Sequence, residues 1–170
     1  MKNRIIVVLL GIAFLNCMLI EEISLKDLNL DIKELTRVEG AYTGTLEYLN
    51  YSDDKSWVTL NMKATFTIKG KKIKVVNIFN EGNGRTEIRK GYYLIKNNQI
   101  DGHDLAEKVV DGDKMKLVWY EHGKDGNQHK RATFRYTIEG NGKILTIRKE
   151  VLYEGTATYF TRNLTQLKKN

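Results

Sequence analysis

"WVTLNMKATFTIK", Trp57 to Lys69, is the stretch that decides how this chain folds. Val58, Leu60, Met62, Ala64, Phe66 and Ile68 alternate without a break against Thr59, Asn61, Lys63, Thr65, Thr67 and Lys69. A period of two places the first set on one face of a β-strand and the second set on the other. A helix would spread the same apolar side chains around its whole circumference. The stretch is therefore a long strand with one buried face and one wet face.

The same pattern recurs on both sides of it. In "RATFRYTIE", Ala132, Phe134, Tyr136 and Ile138 share a face, opposite Arg131, Thr133, Arg135, Thr137 and Glu139. "KMKLVWYE" sets Met115, Leu117 and Trp119 against Lys114, Lys116 and Tyr120. "ILTIRKEVLY" aligns Leu145, Ile147, Val151 and Tyr153, with Lys149 interrupting that face, and "TATYFTRNL" reads as the last strand. In "VEGAYTGTLEYLNY", Gly40, Tyr42, Gly44, Leu46 and Tyr48 share a face, and Tyr51 falls on the opposite one. Between these runs stand Gly, Asn and Asp clusters at hairpin spacing, which supply the positive φ that tight turns need. About nine strands follow, with Arg85 to Ile95 open to a split at Gly91. A meander of one-sided strands with only short turns hides its apolar face by closing on itself. The expected fold is all-β: an antiparallel up-and-down β-barrel of about 8–10 strands. A short helix within Leu28 to Thr36 precedes it, with Ser24 and Asp27 in capping-box positions and Gly40 ending it.

The N-terminus has a different character. Lys2 and Arg4 precede a continuous apolar run, Ile5 to Leu15, in the arrangement of an export signal. Cys17, the one cysteine, stands where a lipoprotein signal would place its acylated residue, yet Phe14-Leu15-Asn16 is a poor lipobox. Lipid anchoring and ordinary secretion both remain open. The division of the chain is then 1–17 signal, 18–39 tether and short helix, 40–165 barrel, and 166–170 basic tail. The expected location is the exported space: periplasmic, outer-membrane-anchored or secreted.

The 170 residues suit one domain, and a formal charge of +7 drops to +5 without Lys2 and Arg4. The remaining charges are interleaved along the chain, densest at Lys69, Lys71, Lys72 and Lys74. No nucleic-acid motif accompanies them, so a solvated basic face is the expectation.

Chemistry finds little footing. His122 and His129 flank a loop, with Glu121 as a third ligand in a metal reading, but their spacing matches no template. His103 and Asp104 are adjacent and so point to opposite faces of a strand, while Asp101 and His103 straddle Gly102 in a bulge or turn. No nucleophile stands beside them. No catalytic residue, metal or cofactor is expected.

A short helix, a strand opening Gly40-Ala41-Tyr42 and a β-meander together resemble the calycin superfamily of lipocalins and fatty-acid-binding-like proteins. Tyr42 stands where lipocalins typically carry tryptophan, and their middle-loop motif is not recognisable. The resemblance covers roughly Leu28 to Leu164. It implies a barrel whose floor Tyr42 closes with Arg162 laid over its ring, and an interior that takes a small apolar ligand. The ligand-lining candidates are Tyr42, Tyr48, Met62, Phe66, Met115, Trp119, Phe134, Tyr136 and Tyr159; the same residues would serve a solid core. The leading expectation is an exported lipocalin-like domain that binds a small, partly apolar ligand and meets a membrane only through Cys17. The alternative is an envelope interaction module, an inhibitor or assembly factor with a solid barrel, using Tyr51, Trp57 and Tyr120. An enzyme is a third reading, resting on Lys149 as the one charge on an apolar face.

Overall fold

The computed structural model describes residues 28–81 and 84–170. The segment read as an export signal, Cys17, Ser24 and Asp27 lie outside the described residues. A 3-10 helix, Ile32–Val38, opens the fold. Asp31 caps it and Glu34 completes the capping box, with Asp31 Oδ1 accepting from Lys33 N–H and Glu34 Oε2 accepting from Asp31 N–H. The helix thus ends two residues later than the sequence suggested, and an extended Glu39, not Gly40, terminates it.

Ten strands follow: β1 Gly40–Leu49, β2 Trp57–Lys69, β3 Lys72–Glu81, β4 Arg85–Lys96, β5 Gln99–Ile100, β6 His103–Asp111, β7 Lys114–Asp125, β8 Lys130–Gly140, β9 Ile144–Tyr153 and β10 Phe160–Lys169. Each pairs antiparallel with its chain neighbour, and β10 returns to pair with β1, which closes the barrel. Two details depart from the sequence reading. β4 runs straight through Gly91. The additional strand is the two-residue β5, which turns into β6 through Asp101 and Gly102, both at positive φ. The residues read as a basic tail, 166–170, are largely the end of β10. Leu167 is buried opposite Gly44, because the barrel can close only if β10 runs the length of β1.

The two halves of the barrel differ. The helix packs Leu35 and Val38 across one end, against Phe66, Ile73, Ile95, Ile100, Met115, Leu117 and Leu145. The void left among these side chains is only about 10 Å³, room for about one water molecule. Arg37 ties the helix down by donating to the Gly112 and Lys114 carbonyls. At this floor the wall between β4 and β7 is complete, but it is bridged there by β5 pairing with Ile95 and Lys96 alone. Higher up, the ladder between β6 and β7 starts at Leu105 and Trp119, and β4 pairs only with β3. The upper half therefore carries a side opening at β4, whose inward-facing Arg89 is 67% exposed.

Candidate functional site

The upper half contains a cavity of about 340 Å³ lined by Leu46, Tyr48, Tyr51, Leu60, Phe79, Glu87, Arg89 and Asn163. That volume falls at the small end of ligand pockets. Leu46 and Leu60 face inward for the reason read in the sequence, each on the apolar face of an alternating strand, and Phe79 of β3 faces inward opposite Met62. Glu87 and Arg89 come from the inward face of β4, where Arg89 Nε donates to Glu87 Oε1 at 2.6 Å and the guanidinium rests on Phe79. On β4 the polarity is inverted. Ile88, Tyr92 and Leu94 point outward and are exposed, while the charged pair points in.

Behind the cavity lies a buried polar network. The pairing of β9 with β10 shifts register between Thr161 and Asn163, so Arg162 occupies a β-bulge. Phe160, paired with inward Val151, and Asn163, opposite Lys149, lie on either side of the shift. The inserted residue brings both Arg162 and Asn163 to the interior side. Arg162 is fully buried. It donates to Asp54 Oδ1 at 2.7 Å, to Asp125 Oδ2 at 2.5 Å and to the Tyr153 hydroxyl at 2.7 Å. Its guanidinium is sandwiched between the rings of Tyr51 and Phe160, at 4.8 and 5.0 Å. Tyr153 in turn donates to Asp125 Oδ2. Asp54 and Tyr51 belong to the β1–β2 loop, so this arginine fastens that loop over the mouth, aided by Asn127 donating to the Tyr51 carbonyl.

Lys149 points into the same region from β9. Its ammonium lies 4.0 Å from the Phe134 ring centroid, 5.9 Å from that of Tyr136 and 3.8 Å from Asp125 Oδ1. Burial pulls its pKa below the usual lysine range, with Arg162 adding to the effect and Asp125 opposing it. Glu121 reaches inward beside it, accepting from Trp119 Nε1 at 3.3 Å. Tyr136 stacks on Trp119 at 5.2 Å, and burial together with Glu121 drives its hydroxyl pKa well up.

The sequence candidates separate into three groups. Tyr48 lines the cavity, Phe134 and Tyr136 stand in the polar half, and Trp119, a member of the main core, donates to Glu121 there. Tyr42, Met62, Phe66 and Met115 belong to the main packed core, Tyr42 meeting Phe66 edge-on at 5.5 Å and donating to the Val38 carbonyl. Tyr159 precedes β10 and lies under Arg135, on the outer wall, because the chain between Glu154 and Phe160 has left the sheet. The pairing of Tyr42 with Arg162 is also corrected. Arg162 sits at the opposite end of β10, and Lys169, directly across the ladder, extends over the Tyr42 ring at 5.8 Å. Tyr51, expected outside, turns in at the mouth, whereas Trp57 and Tyr120 are exposed. His122 bonds Thr133 on the outside while Glu121 points in, so those two cannot share a metal; His103 is the histidine beside Glu121, at 3.7 Å. Asp101 and Asp104 are occupied in the β4–β6 turns, accepting from Leu94 N–H and from Asn98 and Gln99.

The polar network was largely missed in the sequence. Its one visible signal was Lys149 on an apolar face; Arg162, Asp125 and Asp54 lie more than thirty residues apart and meet only through closure.

Tyr93 offers a direct check of the buried half. Burial chiefly, then Asp101 and Glu121, push its hydroxyl up to about 12. A phenol held above its unfolded value of 10.0 contributes stability that is intact below pH 10 and lost as pH rises through 12. The expected loss is on the order of 2–3 kcal/mol. Urea titrations between pH 8 and 12 should show this fall in wild type and a shallower one in Tyr93→Phe; parallel curves would contradict it.

Comparison with known proteins gives three findings. No family model matches the chain. Pancreatic triacylglycerol lipase of Sus scrofa is 34% identical over 118 residues, which is 62% of this chain and 26% of the lipase. The Equus caballus enzyme is 30% identical over 126 residues, 67% of this chain and 27% of the lipase. The chain thus spans about a quarter of the length of the curated relatives it matches. Among solved structures, Rv2717c from M. tuberculosis superposes with a TM-score of 0.61 at 11% identity, covering 82% of this chain and 96% of that one. At that identity the likeness is one of fold.

Proposed function

We propose that this chain is an exported, lipocalin-like barrel that binds a small, partly apolar molecule in its upper half. The observation that carries the reading is the contrast between the two halves: a floor packed to about 10 Å³ of void, and above it a cavity of about 340 Å³ with a mixed lining. Leu46, Leu60 and Phe79 suit an apolar body, while Tyr48, Tyr51 and Asn163 suit a polar end. Packing alone would not leave such a space in a core that is dense elsewhere. The calycin resemblance supports the same use of the barrel, and the charged and apolar pattern of residues 1–17 supports export, with Cys17 as the lipidation candidate.

The mammalian relatives are named for a triacylglycerol, which agrees with an apolar ligand. A lipase reaction is not part of the proposal, because the cavity lining contains no serine, cysteine or histidine to serve as nucleophile and base. The competing interaction module requires a solid barrel, and the open upper half argues against it.

Native mass spectrometry of the protein purified from its own host is the test. Wild type should carry a co-purifying small molecule. Leu60→Trp, which places an indole in the cavity, should lose it, with displacement assays reporting about tenfold or greater weakening, about 1.4 kcal/mol. Equal occupancy in the two proteins would overturn the reading.

A further inference from the structure

We propose that Lys149 is a nucleophilic amine that condenses with an aldehyde held in the upper cavity, so that the barrel captures carbonyl-bearing ligands as imines. The inference rests on the small-ligand reading above and specifies the chemistry of that ligand. Three observations support it. Lys149 points inward in the upper half, whereas inward-facing Lys108 lies at the floor and is bound to Glu34 and the Asn29 carbonyl. Lys149 lies directly across the ladder from Asn163, which lines the cavity. Cross-strand neighbours on one face are close enough for their side chains to meet, so Lys149 adjoins the cavity wall at Asn163, with its amine resting against Phe134 and Asp125. Finally, Asn163 Oδ1 is buried without a hydrogen-bond partner, a polar acceptor left open beside that amine.

Burial, more than the groups packed around it, works against Lys149 as a cation. Asp125, from β7, is its carboxylate neighbour at 3.8 Å, but Asp125 already binds Arg162 at 2.5 Å and accepts from Tyr153. Arg162, from β10, is a second cation in the same network. Phe134 and Tyr136, from β8, present ring faces that favour the ammonium, as does Glu121, from β7, from further off, so the desolvation of the site is what works against the charge. Burial and Arg162 both disfavour the ammonium, so more of this amine is uncharged at neutral pH than of a surface lysine. A desolvated lysine beside another cation is the usual setting for an imine-forming amine.

The reaction is balanced without a redox partner. The Nζ lone pair attacks the aldehyde carbon, forming the C–N bond while the carbonyl π electrons move to oxygen, which takes a proton. The carbinolamine then loses that hydroxyl as water, and the nitrogen gives up its remaining proton as the C=N bond forms. RCHO and the lysine amine give RCH=N–Lys149 and one water. The apolar lining of Leu46, Leu60 and Phe79 would take the aldehyde's chain.

The experiment incubates folded protein with substoichiometric nonanal and sodium cyanoborohydride at pH 7, then maps the reduced adduct by peptide mass spectrometry. In parallel, displacement of N-phenyl-1-naphthylamine by 1-nonanol, which cannot form an imine, reads non-covalent binding. The expected result is that Lys149 carries more label than any other lysine, including the exposed cluster at Lys71, Lys72 and Lys74. Excess 1-nonanol should suppress the label at Lys149, and Lys149→Arg should lose it. Binding of 1-nonanol with label scattered over surface lysines would overturn the imine and leave the ligand reading standing. Failure of wild type both to bind 1-nonanol and to label Lys149 would overturn both. The wild-type map decides the matter even if Lys149→Arg does not fold.

Discussion

Replacing Arg162 with methionine should cost about 3–5 kcal/mol of stability, the range for breaking one side of a buried ion pair. Arg162 and Asp125 have side-chain exposures of 0% and 2%, so neither charge can fall back on water when the other is removed. Methionine matches the bulk but leaves Asp125 buried with only Lys149, 3.8 Å away, to compensate it. Lysine should not rescue the site. The guanidinium serves three acceptors through Nη1 and Nη2, in two directions, and a single ammonium cannot reproduce that fork. The measurement is the urea midpoint at constant m-value. Arg162→Met/Asp125→Leu should recover part of the loss, since removing both charges is far less costly than stranding one. Because Asp54 is held by Nη1, amide exchange at residues 50–56 should accelerate in the single variant, beyond any global change. A single-variant loss below about 1 kcal/mol, the worth of an exposed pair, would show the network to be solvated.

The second large effect is expected at Gly44. A β-carbon there would stand 1.9 Å from the Gln166 carbonyl oxygen, 2.9 Å from its carbon and 3.0 Å from Leu167 Cα. These are backbone atoms of β10, the strand that closes the barrel against β1, so no side-chain rotation relieves the clash. Gly44→Ala should cost about 3 kcal/mol or more, above the ordinary cost of overpacking, and Gly44→Val more still. Two other glycines calibrate the claim. At Gly123 the new methyl meets the end of the Phe134 ring at 2.9 Å, which can shift, and about 1 kcal/mol is expected. At Gly91 nothing lies within 4 Å, and Gly91→Ala should stay within about 0.5 kcal/mol of wild type. Thermal melts of the three variants check the order; Gly44→Ala melting with Gly91→Ala would show that the seam between β1 and β10 is looser than this geometry.

Gly44 also shows how far the sequence could be read. Its place on the inward face of β1 was visible from the alternation around Tyr42 and Tyr48. The reason for a glycine was not, because the atoms that exclude a side chain come from Gln166 and Leu167, over a hundred residues away. The Tyr42 and Arg162 pairing failed for a related reason. Both residues lie on strands that do pair, but the register sets Lys169 against Tyr42 and sends Arg162 to the far end. Arg162 faces inward only because a bulge adds a residue to β10, and a bulge leaves no mark in a pattern of period two. Tyr159 was misplaced because the strand begins one residue after it.

The helix fell one turn late for a local reason. Asp31 and Glu34 satisfy the same capping pattern sought in Ser24 and Asp27, and it is Leu35 and Val38 that the floor of the barrel can bury.

What the sequence determined by itself was the local periodicity: strands from Trp57 onward, a buried face on each, hairpin turns between them, and hence an all-β meander that closes. Side-chain alternation is a property of a single strand and needs no partner to be read. The tertiary structure alone decided where the two ends of the meander meet, which half fills and which stays open, and which charges share the interior. Those depend on register and closure, where one inserted residue in β10 turns Arg162 and Asn163 to the same side and sets Lys149 beside a cavity.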